Sequence, residues 1–597
     1  MSTPTASPQR NMIPYPDPLT ALSPALFLLV LSHVPLASLL AAEQVSKPWR
    51  DLVRSHENGI WRERARHAGV EKKHMRMMEQ MERAMRTSVD EDGQLGAGSV
   101  DWRMLCKGVV QLDQNWKTGQ CRTRSISLRP NIPPWRFKLD AEAGTILCTH
   151  PQAGGGLDVM DSRTMRPLFT ISGVRPYAHL EFGRGFAAFD IDGPGFALEI
   201  WRTQLSVSRS ARTTSPPGFS ELSSSVMSFT HPAFEPASSP LPRGHLGFYR
   251  RIEPPTECHA FRIHVDQSEK AVLATAGSSG VYLWYLEEGC RMESVQVAPE
   301  DQRLGVAVSL EGAHKVSVAD KTEQYVELDD DYVFVCHPRT INIYSRRTLA
   351  KVLSFPPSRS HGSSDGRGGG LSAVNFVLRK LDVKKAATPG FGDADVHAVE
   401  AECLPYALYS LLHPIYNACH FTTTDLVVTS RPSRTQAHML VLKDYRQVIE
   451  GTQDVAANTI VITLESDPEM LTTHGDRVVV CTVGYVRSHH SIVSDVDGPQ
   501  ERHLLMFNSA DLSPDAPNDT VNMLALVALP PHRNASLRAS GLQIDRNAVY
   551  LSEGLVTREG GATVSDSRLN EADVAAVVPG DVTRPTSGVR VWDFSVW

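Results

Sequence analysis

This sequence predicts a small all-α unit of three short helices near its start, followed by a large all-β region. Two observations carry that reading. Residues 19–53 form an apolar run interrupted by prolines, and from about residue 135 one strand–loop–strand pattern returns seven times. The chain has 597 residues. That exceeds one ordinary core, so two or more domains or one large repeat architecture are expected.

The first element is Leu19 to Val53, LTALSPALFLLVLSHVPLASLLAAEQVSKPWRDLV, which is too apolar for a surface segment. Pro24 and Pro35 split it into short helical pieces, because proline lacks an N–H and clashes with the preceding turn. Leu36, Leu39 and Leu40 recur at helical spacing, and Val45 and Trp49 follow after one and two further turns. Three helices of this size cannot bury so many large side chains among themselves. The surplus apolar face calls for a partner.

The runs Leu22-Ser23-Pro24-Ala25-Leu26, Leu31-Ser32-His33-Val34-Pro35, Leu39-Leu40 and Val45-Ser46-Lys47-Pro48-Trp49-Arg50 resemble an F-box. Ser23 stands where that family has a proline, and Ala25 where it has an acidic residue. The resemblance implies docking on a Skp-type adaptor and, through it, on a cullin ubiquitin ligase. It marks Leu22, Pro24, Leu28, Leu31, Pro35, Leu39, Val45 and Trp49 as candidate adaptor-binding residues, each meeting the adaptor or filling the module's own core. A secretory leader competes with this reading, with Ala25–Leu31 as its core and Leu40-Ala41-Ala42 as a cleavage site. Against it, only Arg10 precedes the core, and His33 and Pro35 interrupt it early. A plain buried helical hairpin is a further alternative. A membrane-spanning helix is not expected, because no stretch reaches ~18 uninterrupted apolar residues.

The expected organisation is a disordered tail over 1–16, an F-box domain over 17–63, a helical linker and junction over 64–120, and an all-β domain over 121–597. Ile60 to Arg86 reads as a charged connecting helix carrying Met75, Met78, Met81 and Met85; a calmodulin-type target helix is the alternative. Asn115-Trp116-Lys117-Thr118-Gly119 resembles the junction between F-box and propeller in WD-repeat F-box proteins.

The repeat then begins. GTILCTH (144–150) leads to Leu157–Met160, GFAAFDI (185–191) to Leu198–Trp201, and KAVLATAG (270–277) to Val281–Trp284. DYVFVCH (331–337) leads to Ile341–Tyr344, DLVVTSR (425–431) to Met439–Leu442, DRVVVCTVG (476–484) to Leu504–Phe507, and NAVYLSEG (547–554) to Val589–Asp593. A Val-x-Val-Trp-Asp ending resembles a WD-repeat blade, and only the last copy keeps it. Seven such units predict a β-propeller, whose small sheets around an axis hide most strand edges. Seven blades are expected, with six or eight as alternatives. The last unit lacks an outer strand, and Arg122 to Leu128 alternates well enough to supply it. The Ser/Thr/Pro-rich stretch within 206–242 and the apolar-poor stretch 358–372 read as disordered insertions.

Composition narrows function. With 60 Lys and Arg against 67 Asp and Glu the net charge is −7, so neither nucleic acid nor an anionic membrane is an expected partner. Nine cysteines without a CxxC pair suit a reducing compartment, so cytoplasm, nucleus or both are expected. Sequons at Asn518 and Asn534 carry little weight. No phosphate-loop, zinc-protease, nucleophile-elbow or EF-hand motif occurs. Cys258-His259, Cys336-His337 and Cys419-His420 do not suit a metal site, because neighbours on a strand point to opposite faces. No carboxylate or histidine recurs in register, so no cofactor, metal or catalytic residue is expected. Arg339, Arg431, Arg434, Arg487 and Arg558 fall in loops between second and third strands, where ligands of propellers bind. Their planar forks suit a phosphorylated segment of a protein substrate. The expected function is that of a substrate receptor in a Skp adaptor–cullin–F-box ubiquitin ligase. The alternatives are a secreted propeller and a non-degradative F-box scaffold.

Overall fold

The computed structural model describes residues 17, 21–67, 102–127, 134–151, 155–193, 195–203, 243–266, 270–277, 280–287, 291–295, 325–337, 340–355, 377–385, 415–431, 437–455, 457–464, 467–485, 500–513, 520–529, 536–556 and 588–595. The tail over 1–16, the methionine-bearing stretch beyond His67, both insertions and both sequons lie outside the described residues. Two compact units emerge. One comprises the described residues up to Thr118 together with Phe594 and Ser595, and the other runs from Gly119 to Asp593.

The first unit is helical: α1 (Pro24–His33), α2 (Leu36–Val45), α3 (Lys47–Ser55), α4 (Glu57–His67) and α5 (Trp102–Thr118). Local chemistry sets the breaks. The Ser23 side chain caps α1, accepting from the Leu26 N–H at 3.4 Å, with Pro24 opening the first turn. Pro35 forces extended backbone between α1 and α2. Ser46 caps α3 by accepting from the Trp49 N–H at 3.4 Å. Phe27, Leu31, Leu39, Val53, Ile60, Trp61, Leu105 and Cys106 form one core from all five helices. The Glu43 carboxylate, buried on α2, takes a two-pronged bond from Arg103 on α5, with Nε–Oε1 at 2.6 Å. At the far end of α5, Asn115 Nδ2 donates to the Phe594 carbonyl at 2.8 Å, and Trp116 stacks on the Phe594 ring at 4.0 Å. Among the described residues no helix is long and apolar enough to cross a membrane.

The second unit is a seven-bladed propeller. Its first blade is β2 (Arg136–Asp140), β3 (Thr145–Thr149), β4 (Leu157–Asp161) and β5 (Pro167–Ile171), preceded in the chain by β1 (Arg122–Ser127). The second is β6 (Leu180–Gly183), β7 (Phe186–Asp190), β8 (Leu198–Thr203) and β9 (Leu246–Ile252). The third is β10 (Cys258–Val265), β11 (Ala271–Gly277), β12 (Gly280–Tyr285) and β13 (Arg291–Val295). The fourth is β14 (Tyr325–Leu328), β15 (Tyr332–Cys336), β16 (Ile341–Ser345) and β17 (Lys351–Phe355). After β18 (Val377–Lys385), the fifth is β19 (Ile415–Phe421), β20 (Leu426–Arg431), β21 (Ala437–Leu442) and β22 (Thr459–Leu464). The sixth is β23 (Asp467–His474), β24 (Arg477–Tyr485), β25 (Gln500–Asn508) and β26 (Thr520–Leu529). The seventh is β27 (Ser536–Ile544), β28 (Ala548–Val556) and β29 (Gly588–Asp593).

β1 completes that last blade. It pairs antiparallel with β29 from Arg122↔Asp593 to Ser127↔Gly588, so the outer strand comes from the start of the unit, as its alternation suggested. The innermost strands neighbour one another in the order β2, β6, β10, β14, β19, β23, β27 and back to β2. Each of the seven apolar pairs found in the sequence is the second and third strand of a blade. β18 was not foreseen. It pairs parallel with β22 through residues 377–379 and with β26 through residues 380–385, joining the outer edges of the fifth and sixth blades.

Packing explains what the sequence displayed. β3, β4, β7 and β11 are buried along their whole length, because neighbouring blades cover both faces. One cluster joins Phe137, Ile146 and Met160 of the first blade to Tyr550, Val589 and Val591 of the seventh. The turn from first to second strand is closed alike in several blades. The Asp140 carboxylate accepts the N–H groups of Glu142 and Ala143, Asp329 those of Asp331 and Tyr332, and Asp545 those of Asn547 and Ala548, at 2.6–3.1 Å. Strands alternate in direction, so second-to-third-strand loops share a face with the loops that lead from one blade to the next.

Candidate functional site: an uncovered helix face and a charged axis

α1 is apolar around nearly its whole circumference. Phe27 and Leu31, one turn apart, face the core of the helical unit. Leu22, Leu26, Leu29 and Val30 lie on the opposite side, with Leu26, Leu29 and Val30 54%, 56% and 50% exposed. Val45 at the end of α2 is 63% exposed, and Met104 on α5 is also open. Single exposed apolar side chains are ordinary in a soluble protein. Several at helical spacing on one short helix form a patch of the kind that binds another protein.

The propeller concentrates its charge on the axis. Alternate side chains of the inner strands point there, and five blades contribute to one network. Glu181 of β6 is held by Lys138 of β2 at 3.0 Å and Arg262 of β10 at 2.6 Å, and it also meets His179 at 3.0 Å. Arg262 continues to Glu327 of β14 at 3.0 Å, which also meets His420 of β19 at 3.1 Å. Tyr325 hydroxyl and His420 Nε2 are 3.2 Å apart. Burial alone would raise the Glu181 carboxyl, but Arg262, Lys138 and His179 hold it well below the usual carboxylate range. Glu327 behaves likewise, with Arg262 and His420 overcoming its burial. Burial pulls the His179 imidazole down to about 4 against the pull of Glu181, and lowers His420 in the same way. Both carboxylates are therefore ionised and fully engaged, which makes them poor proton acceptors. The network ties five blades together.

Residues 19–61 match the family model for the F-box domain. That segment of the chain is an F-box. It covers α1 to α3 and the start of α4, so the uncovered leucines belong to the F-box itself. An F-box together with a seven-bladed propeller fits, in general, a substrate receptor of a Skp adaptor–cullin–F-box ligase, and F-box proteins are typically non-catalytic. No curated protein matches the chain. Among solved structures, the crystal structure of the tricorn protease is similar at 10% sequence identity and a TM-score of 0.34, with 72% of this chain and 34% of that one covered. The chain thus spans about a third of that protein's length.

Within the F-box, the eight residues marked from the sequence separate. Leu31 and Leu39 are buried in the core, while Leu28 and Trp49 are half-buried against it, Trp49 edge-on to Phe27 at 4.8 Å. Leu22, Pro24, Pro35 and Val45 are exposed. Leu26, Leu29 and Val30 were missed, because an all-apolar helix gives no phase from which to read its outer face. Ser23, a departure from the family pattern, acts as the cap of α1.

The arginines are less informative. Arg339, Arg434, Arg487 and Arg558 lie outside the described residues, and Arg431 is the last residue of β20 rather than part of the loop after it. Cys419 faces the core and His420 the axis, as strand alternation requires. Among the described residues no three His, Cys, Asp or Glu side chains group as metal ligands.

Proposed function

We propose that this chain is a substrate-recognition subunit of a Skp adaptor–cullin–F-box ubiquitin ligase. The observation that carries the reading is the open apolar face of α1, within the segment that matches the F-box family. Leu22, Leu26, Leu29, Val30, Pro35 and Val45 meet the adaptor in this account, and Leu31, Leu39 and Trp49 hold the helices that present them. Each large side chain removed from water contributes roughly 1.5–3 kcal/mol, so a handful supports a stable complex. The adaptor brings the cullin, and the propeller holds a protein substrate near the conjugating enzyme. Catalysis is then by proximity, with the reacting groups supplied by other subunits. The saturated carboxylates on the axis support a non-catalytic role for the propeller. The second-to-third-strand loops, which include Arg339, Arg434, Arg487 and Arg558, are the proposed site for an acidic or phosphorylated part of the substrate. The proposed setting is cytoplasm or nucleus, where adaptor and cullin act.

Affinity purification of the tagged full-length chain from cells tests the reading. Recovery of a Skp-type adaptor and a cullin is expected. Soluble, folded protein that recovers neither would sink it.

A further inference from the structure

Among the described residues a cavity of ≈ 470 Å³ lies on the face that bears the second-to-third-strand loops. Residues of three connections line this open cleft: Arg175 between β5 and β6, Asp192 and Phe196 between β7 and β8, and Pro254 and Glu257 between β9 and β10. Its walls are fixed by backbone. Val174 bridges Ile191, and the Asp192 N–H donates to the Gly173 carbonyl at 3.2 Å. Gly277 seats the end of β11 so closely that a Cβ there would come within 2.5 Å of the Glu257 carbonyl. The cavity is thus preformed rather than gathered from loose loops.

Its charge is lopsided. Asp192 and Glu257 line it together with a single cation, Arg175, whose guanidinium lies between Glu257 and the buried Asp190 outside the lining. Arg175 does not satisfy them. It stands 3.9 Å from Asp190 Oδ2 and 3.9 Å from Glu257 Oε1, beyond hydrogen-bond reach, and is itself about half exposed. Asp190 is buried, with Oδ1 taking the His179 N–H at 2.6 Å and Oδ2 standing 3.9 Å from Arg175. Burial without a close counter-charge pushes its carboxyl up to about 6. Phe196, Ile191 and Pro254 supply apolar wall suited to the methylene stem of a long side chain.

The geometry points to a pocket for a lysine or arginine side chain, presented by an extended segment of the protein substrate and seated between Asp192 and Glu257. Arg175 occupies that place loosely in the free chain and swings aside when the ligand's cation enters. This rests on the reading of the propeller as a substrate holder and names one feature of the substrate.

The test is fluorescence anisotropy on the full-length chain, with a labelled Ser-Gly-Lys-Arg-Lys-Gly-Ser peptide and its Glu-Asp-Glu counterpart. Preference for the basic peptide is expected. The Asp192→Asn, Glu257→Gln double variant weakens it about tenfold, the scale expected for charge partners at an accessible site. Arg175→Ala tightens it several-fold by removing the competing cation. Asp511→Asn, at an exposed acid in the turn after β25, leaves it unchanged and controls for the chain's net negative charge. Failure of the basic peptide to bind, equal binding by the double variant, an equal drop with Asp511→Asn, or weaker binding after Arg175→Ala overturns the proposal. Adaptor recovery is measured on the same proteins. Its absence from the wild-type chain counts against the ligase reading and leaves the peptide result standing.

Discussion

Leu29 and Leu31 are two positions apart on α1 and do opposite work. Leu31 is sealed in the helical core and Leu29 faces outward. Leu31→Ala should cost about 2–5 kcal/mol through the cavity it leaves, whereas Leu29→Ala should stay within about 0.5 kcal/mol. Urea denaturation of the helical unit in the full chain checks both; equal losses would contradict the assignment of faces. Histidine on the axis gives a pH signature. His179 titrates near 4 when folded and near 6.5 when free, so between those values the unfolded chain binds more protons. Its contribution is full above about pH 6.5 and is lost as pH falls toward 4, on the order of 2–3 kcal/mol. Lowered Glu181 and Glu327 add losses at still lower pH. Asp190, raised to about 6 from 3.8, works the other way, favouring the fold on acidification through that range. His179→Gln should therefore flatten the decline between pH 6.5 and 4 in denaturant midpoints, and an unchanged slope would rule the histidine out as its source. The axis was illegible in the sequence. Its residues never recur in register, because each blade supplies a different partner to one shared network.

At the scale of elements, the second and third strands were legible and the others were not. Both faces of those strands are packed between blades, so they read as short continuous apolar runs. Inner strands such as β2 mix Phe137 toward the neighbouring blade with Lys138 toward the axis, and outer strands such as β13 are largely exposed. Neither pattern stands out from a loop. β18 has no local signal at all, since its parallel pairing is set wholly by the edges it meets. Gly541 of β27 marks where the seventh blade meets the first: a Cβ there would come within 2.8 Å of the Phe137 ring. Gly541→Ala should lower stability by about 1–3 kcal/mol from overpacking, readable as a lower melting temperature. No change would mean that the two blades are less tightly apposed than their shared core indicates.

For the whole molecule, closure of the ring is the main structural claim and adaptor capture the main functional one. β1 is the only strand of the last blade that comes from the other end of the unit. Deleting residues 122–127 should leave β29 unpaired on its outer side and lower the propeller's melting temperature, while α1 to α4 keep their fold. A propeller of unchanged stability would argue against closure by that strand. The ring reaches this arrangement through a recurring strand–loop–strand pattern and, in several blades, a turn-closing aspartate, with burial between blades specifying the rest. The loops and the cavity beside Glu257, proposed to hold the substrate, carry no periodicity that announces them. The proposed adaptor contact rests on the apolar face of α1 that the helical core leaves uncovered. The most direct measurement is titration of a purified Skp-type adaptor into the intact chain and into a Leu26→Lys, Leu29→Lys, Val30→Lys variant, with circular dichroism confirming that both are folded. The account predicts saturable binding by the intact chain and a loss of about 100-fold or more in the variant, the scale of a lost hot spot. Equal binding by the folded variant, or none by the folded intact chain, would contradict it.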